Sequence, residues 1–356
     1  MAAAGAEGGE TERAVDDRPE PLTPGLPPEI ASPLAPFHGA SPAAPAWFTE
    51  AIAVEPERRF VPVNGADIEL LTWGEVGRPG LIFVHGNSAH ADWWSFIAPF
   101  FARTHSVAAL SISGMGASSW REQYSFEIFA DEIHAAGQAA GLYADGALPV
   151  YIGHSFGGSQ VFYSAVHHPA RMRGCILVDT GFGGPPSPEE IERMEREAKA
   201  RGEPSRWRGG PPRGGPHRVY PTLEAALARF RFMPPQVPGN LYIADFIARR
   251  SLKRAPLTEG GAEGDSGGWT WKFDPTLWSK LERSGLEQKL GPVDLPLAHI
   301  YGANSAIIQR HGGGGADRLP ADIPRIVIPD SEHHVMVDQP LALVAALRAV
   351  LAFWDR

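Results

Sequence analysis

The chain has 356 residues, 43% of them hydrophobic, enough for one large core or two small ones, and its single cysteine, Cys175, excludes an intrachain disulfide and a cysteine-based metal cluster. A formal charge of -9, with 32 Lys and Arg against 41 Asp and Glu, argues against a nucleic-acid binder, which would gather cations to neutralise phosphates. No run approaches the roughly 18 apolar residues that span a bilayer, and the 40 Gly and 34 Pro exceed average usage, an excess that usually collects in loops and tails.

Residues 1–45 carry nine prolines spaced by Ala, Gly and Glu and read as a disordered tail, because such a segment buries too little apolar surface to offset its ordering entropy. The start MAAAGAEGGETER has neither the basic and apolar regions of a secretory signal nor the acid-poor composition of a mitochondrial presequence, so a cytoplasmic location is expected. The first part of a folded core is expected over 46–181. In FVPVNGADIELLTWGE, Asn64-Gly65 between two alternating runs predicts a two-residue hairpin.

Strands and helices then alternate. GLIFVHG (80–86) reads as a buried strand, SFIAPFFA (95–102) as a helix and SVAALSIS (106–113) as a strand. SFEIFADEIHAAGQAAGL (125–142) is a helix opened by Ser125, LPVYIGHS (148–155) a strand, SFGGSQVFYSAVHHP (155–169) a helix stopped by proline, and RGCILVDTG (173–181) a strand. Near-continuous apolar strands between amphipathic helices predict a parallel sheet covered on both faces.

From 182 to 292 that rhythm breaks. Helix-like pieces (SPEEIERMEREAKA, TLEAALARFRF, ADFIARRSL) lie between RGEPSRWRGGPPRGGP and LTEGGAEGDSGG, and nothing reads as a core strand, which predicts a mainly helical cap. The α/β rhythm resumes over 293–356 with LPLAHIYG, PRIVIPD and a closing helix whose Pro340 suits the first turn. The Gly run HGGGG (311–315) neither follows a strand nor precedes Lys-Ser/Thr, and is loop rather than phosphate cradle.

Gly153-His154-Ser155-Phe156-Gly157 fits G-x-S-x-G and falls between a strand and a helix. There the serine occupies a strained turn, and glycines flank it because side chains would clash with the neighbouring strand and helix. Together with HGN at 85–87, SGMGAS at 113–118 and SEHHVMVDQP at 331–340, in that order, this motif makes residues 60–181 and 293–356 resemble the α/β-hydrolase family. The resemblance implies an α/β fold: a mostly parallel eight-stranded sheet flanked by helices, with the cap inserted after strand 6. It also implies Ser155 as nucleophile and His333 as base, with His334 the alternative by one place. The backbone amides of Asn87 and Phe156 would then form the oxyanion hole.

Three positions depart from the family pattern. Glu332 precedes the histidine where Gly is usual. The G-x-x-D stretch that commonly supplies the triad acid reads Gly302-Ala303-Asn304-Ser305, and serine cannot balance an imidazolium. The rarer location for that acid in this fold, the end of the strand after the nucleophile helix, holds Asp179; Asp330, Asp317 and a dyad without an acid are the alternatives. Ser111 stands where relatives often carry Asp, which predicts a less acidic site. Serine rather than aspartate at 155 argues against the aspartate-ester chemistry of epoxide hydrolases and haloalkane dehalogenases.

Trp93, Trp94, His154 and Trp271 are the expected lining of a substrate pocket, and the other cap aromatics serve either that pocket or the cap's own core. The arginines of 201–218 form either a solvated loop or a holder for a substrate carboxylate. These features predict a serine hydrolase, free of metal and cofactor, that cleaves a carboxylic ester of a small apolar or aromatic substrate through an acyl-enzyme. Lactone, thioester or carbon–carbon bond hydrolysis and perhydrolysis on the same triad are alternatives, as is a catalytically silent ligand-binding hydrolase fold, raised by the missing Asp at 305. A small-molecule ester is the only partner expected, with no nucleic acid and no membrane span; oligomeric state is left open.

Overall fold

The structure, a computed structural model, describes residues 26–181, 192, 196, 217–257, 267–282, 292–309 and 319–355. Strands β1 (Glu57–Val63) and β2 (Ala66–Trp73) form the expected hairpin, with Val63 opposite Ala66 and Glu57 opposite Thr72. Asn64 and Gly65 both have left-handed φ, 48° and 78°, the turn whose twist matches that of the strands it joins.

Strands β3 (Gly80–Val84), β4 (Ser106–Leu110), β5 (Val150–His154) and β6 (Gly174–Val178) are buried at every residue, which is why they read as continuous apolar runs. With β9 (Leu297–Gly302) and β10 (Arg325–Ile328) they complete an eight-stranded sheet in the order β1-β2-β4-β3-β5-β6-β9-β10. Pairing is antiparallel from β1 to β4 and parallel beyond.

Alternate residues of each strand feed two core layers. Leu81 and Phe83 face the layer that holds Leu343 and Leu347 of the last helix, Pro340–Trp354. Ile82 and Val84 face the layer of Phe129 and Ile133 from the helix Phe126–Ala139 and Val161 from the helix Phe156–His167. Ser125 caps the first of these, accepting from the Ile128 N–H. The parallel strands end on one edge of the sheet, and the loops that hold Ser155, Asp179 and His333 leave from that edge.

Two expectations are corrected and a third is refined. Residues 26–45, counted with the tail, carry a helical turn at Pro28–Ala31, and Leu34 enters the core at 2% exposure. Their prolines do not prevent this, because Pro28 occupies a first-turn position whose N–H has no helical partner anyway. SFIAPFFA is not one helix: Pro99 lacks the N–H that continuation needs, and the chain forms short 3-10 turns at Ala91–Trp94 and Ala98–Phe100. The insertion between β6 and β9, expected to be mainly helical, carries strand as well as helix. Beside the helices Leu223–Leu227 and Leu241–Arg250 it carries an antiparallel pair, β7 (Leu252–Ala255) and β8 (Gly268–Trp271), separate from the main sheet.

Residues 1–25, most of the helix read in SPEEIERMEREAKA, the arginine-rich stretch 201–216, Asp317 and HGGGG lie outside the described residues. Among the described residues no helix is long and apolar enough to cross a membrane.

Candidate active site

Ser155 sits where β5 turns into the helix Phe156–His167, with φ 53° and ψ -119°, a conformation a side-chain-bearing residue rarely adopts. Its N–H is tied to the carbonyl of Val178 at 3.0 Å. The sharp turn presses strand and helix together: a Cβ on Gly153 would come within 2.6 Å of the Gly157 carbonyl oxygen, and one on Gly157 within 2.7 Å of that of Val84. A Cβ on Gly86 would come within 3.3 Å of the Ser155 Cβ, so the HGN turn approaches the serine closely.

The imidazole of His333, in the loop after β10, meets the serine from the other side. His333 Nε2 lies 2.9 Å from Ser155 Oγ, and its Nδ1 lies 2.7 Å from Asp179 Oδ1. The carboxylate can only accept, so Nδ1 carries the proton and Nε2 is left to accept from the serine hydroxyl.

Asp179 is fully buried directly after β6, at φ 45°. Three donors surround its carboxylate: His333 on Oδ1, Ser305 Oγ on the same oxygen at 2.6 Å, and the Gly302 N–H on Oδ2 at 2.9 Å. Hydrogen bonds of this kind are what let a carboxylate remain charged away from water. Asp330 is exposed at the protein surface. His334 turns its Nδ1 to Gln236 Oε1 instead of towards Ser155.

The N–H groups of Asn87 and Phe156 have no partner among the hydrogen bonds of the described residues. Phe156 opens the helix, whose N-terminal end carries partial positive charge. Its ring meets Phe126 and Phe129 edge-on at 5.9 and 5.8 Å and tilts against Trp278 of the insertion at 5.1 Å.

The four expected pocket residues scatter. Trp94 is 0% exposed and packs on Phe83 at 4.9 Å, so it is a core residue: the chain turns inward directly after Trp93. Trp93 is itself buried, edge-on to Phe232 and beside His334. His154 points beneath the loop that carries His333, its Nε2–H donating to the His333 carbonyl at 3.0 Å, and burial and then the neighbouring His333 hold it neutral, well below the usual histidine range. Trp271 packs half-buried within the insertion, near Tyr220 and Phe230.

Ser111 does not make its surroundings less acidic. Its hydroxyl donates to Glu69 Oε2 at 2.6 Å, and Glu69 is itself buried and paired with Arg58. The carboxylate comes from β2, a neighbouring strand that a reading of position 111 alone does not reach. Sequence reasoning likewise missed Ser305 and Gly302 as holders of Asp179, although a serine at the family's usual acid position was the available signal.

The sequence pattern of the alpha/beta hydrolase fold matches residues 79–340. The chain is similar to esterase Rv0045c of Mycobacterium tuberculosis, with 25% identity over 293 residues, 81% of this chain and 88% of that protein. The solved structure of the M. tuberculosis esterase Rv0045c superposes with a TM-score of 0.58 at 21% identity, covering 90% of this chain and 97% of that one. A thioesterase domain from the curacin biosynthetic pathway superposes with a TM-score of 0.61 at 20% identity, covering 82% and 98%. At such identities the structural likeness is one of fold.

Proposed function

The chain belongs to the alpha/beta hydrolase fold family, and we propose that it is a serine hydrolase which cleaves a carboxylic ester of a small apolar or aromatic substrate through an acyl-enzyme intermediate. The observation that carries this reading is the unbroken chain of contacts from Ser155 Oγ to His333 Nε2 and from His333 Nδ1 to Asp179, at 2.9 and 2.7 Å. Similarity to an esterase supports the choice of an ester as the bond cleaved.

Ser155 Oγ attacks the ester carbonyl while His333 Nε2 takes its proton. Asp179, accepting from Nδ1–H, keeps the ring in the reactive tautomer and stabilises the imidazolium. The oxyanion is received by the N–H groups of Asn87 and Phe156; donors of this kind contribute about 2.7–4 kcal/mol each in known cases. His333 returns its proton to the departing alkoxide. Water then attacks the acyl-enzyme, with the same imidazole as base, and Ser155 is regenerated. The insertion acts as a cap in this scheme, and the contact of Trp278 in the insertion with Phe156, the residue after the nucleophile, supports an apolar or aromatic substrate group.

Ser155→Ala is expected to abolish both p-nitrophenyl ester turnover and labelling by a fluorophosphonate. Retained turnover would remove Ser155 from the role. A panel of esters, lactones and thioesters varied in acyl and leaving group identifies the bond and the substrate class.

A further inference from the structure

The loop that carries His333 is held by an element remote from it in sequence. Gln236, 1% exposed, lies in the insertion just after the Met233-Pro234 bond. Its Oε1 accepts from the His334 backbone N–H at 3.0 Å and from His334 Nδ1–H at 2.5 Å. Its Nε2 donates to both carboxylate oxygens of Asp338 at 3.0 Å. The same carboxylate accepts from the N–H of Glu332 at 2.8 Å and of Gly239 at 3.0 Å. Asn240 Nδ2 adds donations to the carbonyls of Val337 and Asp338, at 2.8 and 3.0 Å.

We propose that Gln236 is a positioning residue for His333: the insertion segment 234–240 clasps the loop 331–338 and holds the imidazole where it reaches Ser155 and Asp179 together. This inference rests on the reading of Ser155 and His333 as nucleophile and base. The residues on either side of His333 each have their N–H taken, Glu332 by Asp338 and His334 by Gln236, while the His333 carbonyl is taken by His154. Of these three anchors only Gln236 comes from the insertion, so displacement of segment 234–240 and loosening of the base are one event.

The side chain has to be glutamine. An amide presents an acceptor to His334 and a donor to Asp338 at once, whereas a glutamate would set a second carboxylate against Asp338, and an apolar residue would leave the His334 donors buried without an acceptor and take one donor from Asp338. Close approach is part of the device, since a Cβ on Gly239 would come within 2.9 Å of the Asp338 Cα.

The test compares Gln236→Ala, the near-isosteric Gln236→Met, and Gln236→Glu with wild type in the full chain. A short p-nitrophenyl ester supplies kcat and KM. The low-field NMR resonance of the proton between His333 and Asp179 reports the geometry of the base without any need for turnover. Expected are a kcat lowered by about tenfold to 10²-fold, the scale of a misplaced catalytic group, with KM nearly unchanged, an altered pH profile of kcat, and a shifted or broadened resonance. The proposal is overturned if the folded Ala or Met variant keeps both the wild-type kcat and the wild-type resonance, or if kcat falls only in proportion to the folded fraction. Should wild type cleave no ester, the catalytic reading fails on its own, and the resonance still decides the clasp.

Discussion

Ser305 Oγ donates to Asp179 Oδ1 at 2.6 Å, joining the two places in this fold from which the triad acid can come. Serine occupies one place and the carboxylate the other, beyond the ends of the adjacent parallel strands β9 and β6, and the hydroxyl serves as a third donor to the carboxylate. The same exchange occurs at Ser111, whose hydroxyl donates at 2.6 Å to Glu69 on the adjoining strand β2. In both cases the serine holds the carboxylate that a neighbouring strand supplies.

Asp179→Asn is expected to lower kcat/KM on the order of 10⁴-fold by analogy with known triads, because an amide can present N–H where Nδ1–H needs an acceptor. Steady-state ester hydrolysis measures this; a loss within about tenfold would move the acid elsewhere. Adding Ser305→Asp to that variant returns a carboxylate to within reach of His333 and is expected to recover activity at least tenfold, on the order of one charge-assisted hydrogen bond. No recovery would mean that the backbone at 305 cannot aim a carboxylate at the imidazole.

Stability is expected to fall on acidification below neutrality. His85 donates from Nδ1 to the Gly86 carbonyl at 2.7 Å and accepts at Nε2 from the Ile112 N–H at 3.1 Å, so its neutral form is the bonded one. Burial lowers His85 to about 3 and His299 to about 4. Both folded values lie below the unfolded value of about 6.5, so their contribution is fully present above that pH and is lost as pH falls toward the folded values, by about 1.4 kcal/mol per unit for each histidine. Urea unfolding near pH 7.5 and near pH 5.5 should therefore differ by about 3 kcal/mol for the pair; equal free energies would show that these rings are protonated in the native state.

Glu69→Ala is expected to destabilise the fold without touching Ser155. It takes one of two carboxylate partners from Arg58, which keeps Asp92 at 2.8 Å, and leaves the Ser111 hydroxyl and the Ala117 N–H, which donates to Glu69 at 3.1 Å, without their acceptor. A loss of about 2–3 kcal/mol is expected, less than for a fully buried pair because Arg58 is partly exposed to solvent. Chemical denaturation measures it, and an unchanged midpoint would mean that water takes over the carboxylate's role.

Trp94→Ala separates core from pocket. The ring is fully buried against Phe83, so the substitution should cost about 3–5 kcal/mol of stability. KM for a short ester should stay within about twofold in the folded variant, since no substrate contact is lost. A large rise in KM at unchanged stability would return Trp94 to the pocket.

Local sequence was sufficient wherever one segment had to satisfy its own backbone. The Asn64-Gly65 hairpin, the apolar strands β3 to β6, the Ser125-capped helix and the glycine-flanked turn at Ser155 were all legible, because turn chemistry, apolar periodicity and steric demand act within a few residues. Residues 26–45 were misread because composition does not reveal that Leu34 has a core to enter. The insertion's ribbon was missed because β7 and β8, four residues each, are too short to carry a pattern that stands apart from a loop. Only the tertiary structure brought Ser305 to Asp179, Glu69 to Ser111, and Gln236 to His334 and Asp338. These contacts span 126, 42, 98 and 102 residues. Sequence alone determined which side chains could bear charge or donate a proton; folding decided which carboxylate is shielded from water beside which donor, because a buried charge persists only where separate strands and loops surround it with hydrogen bonds.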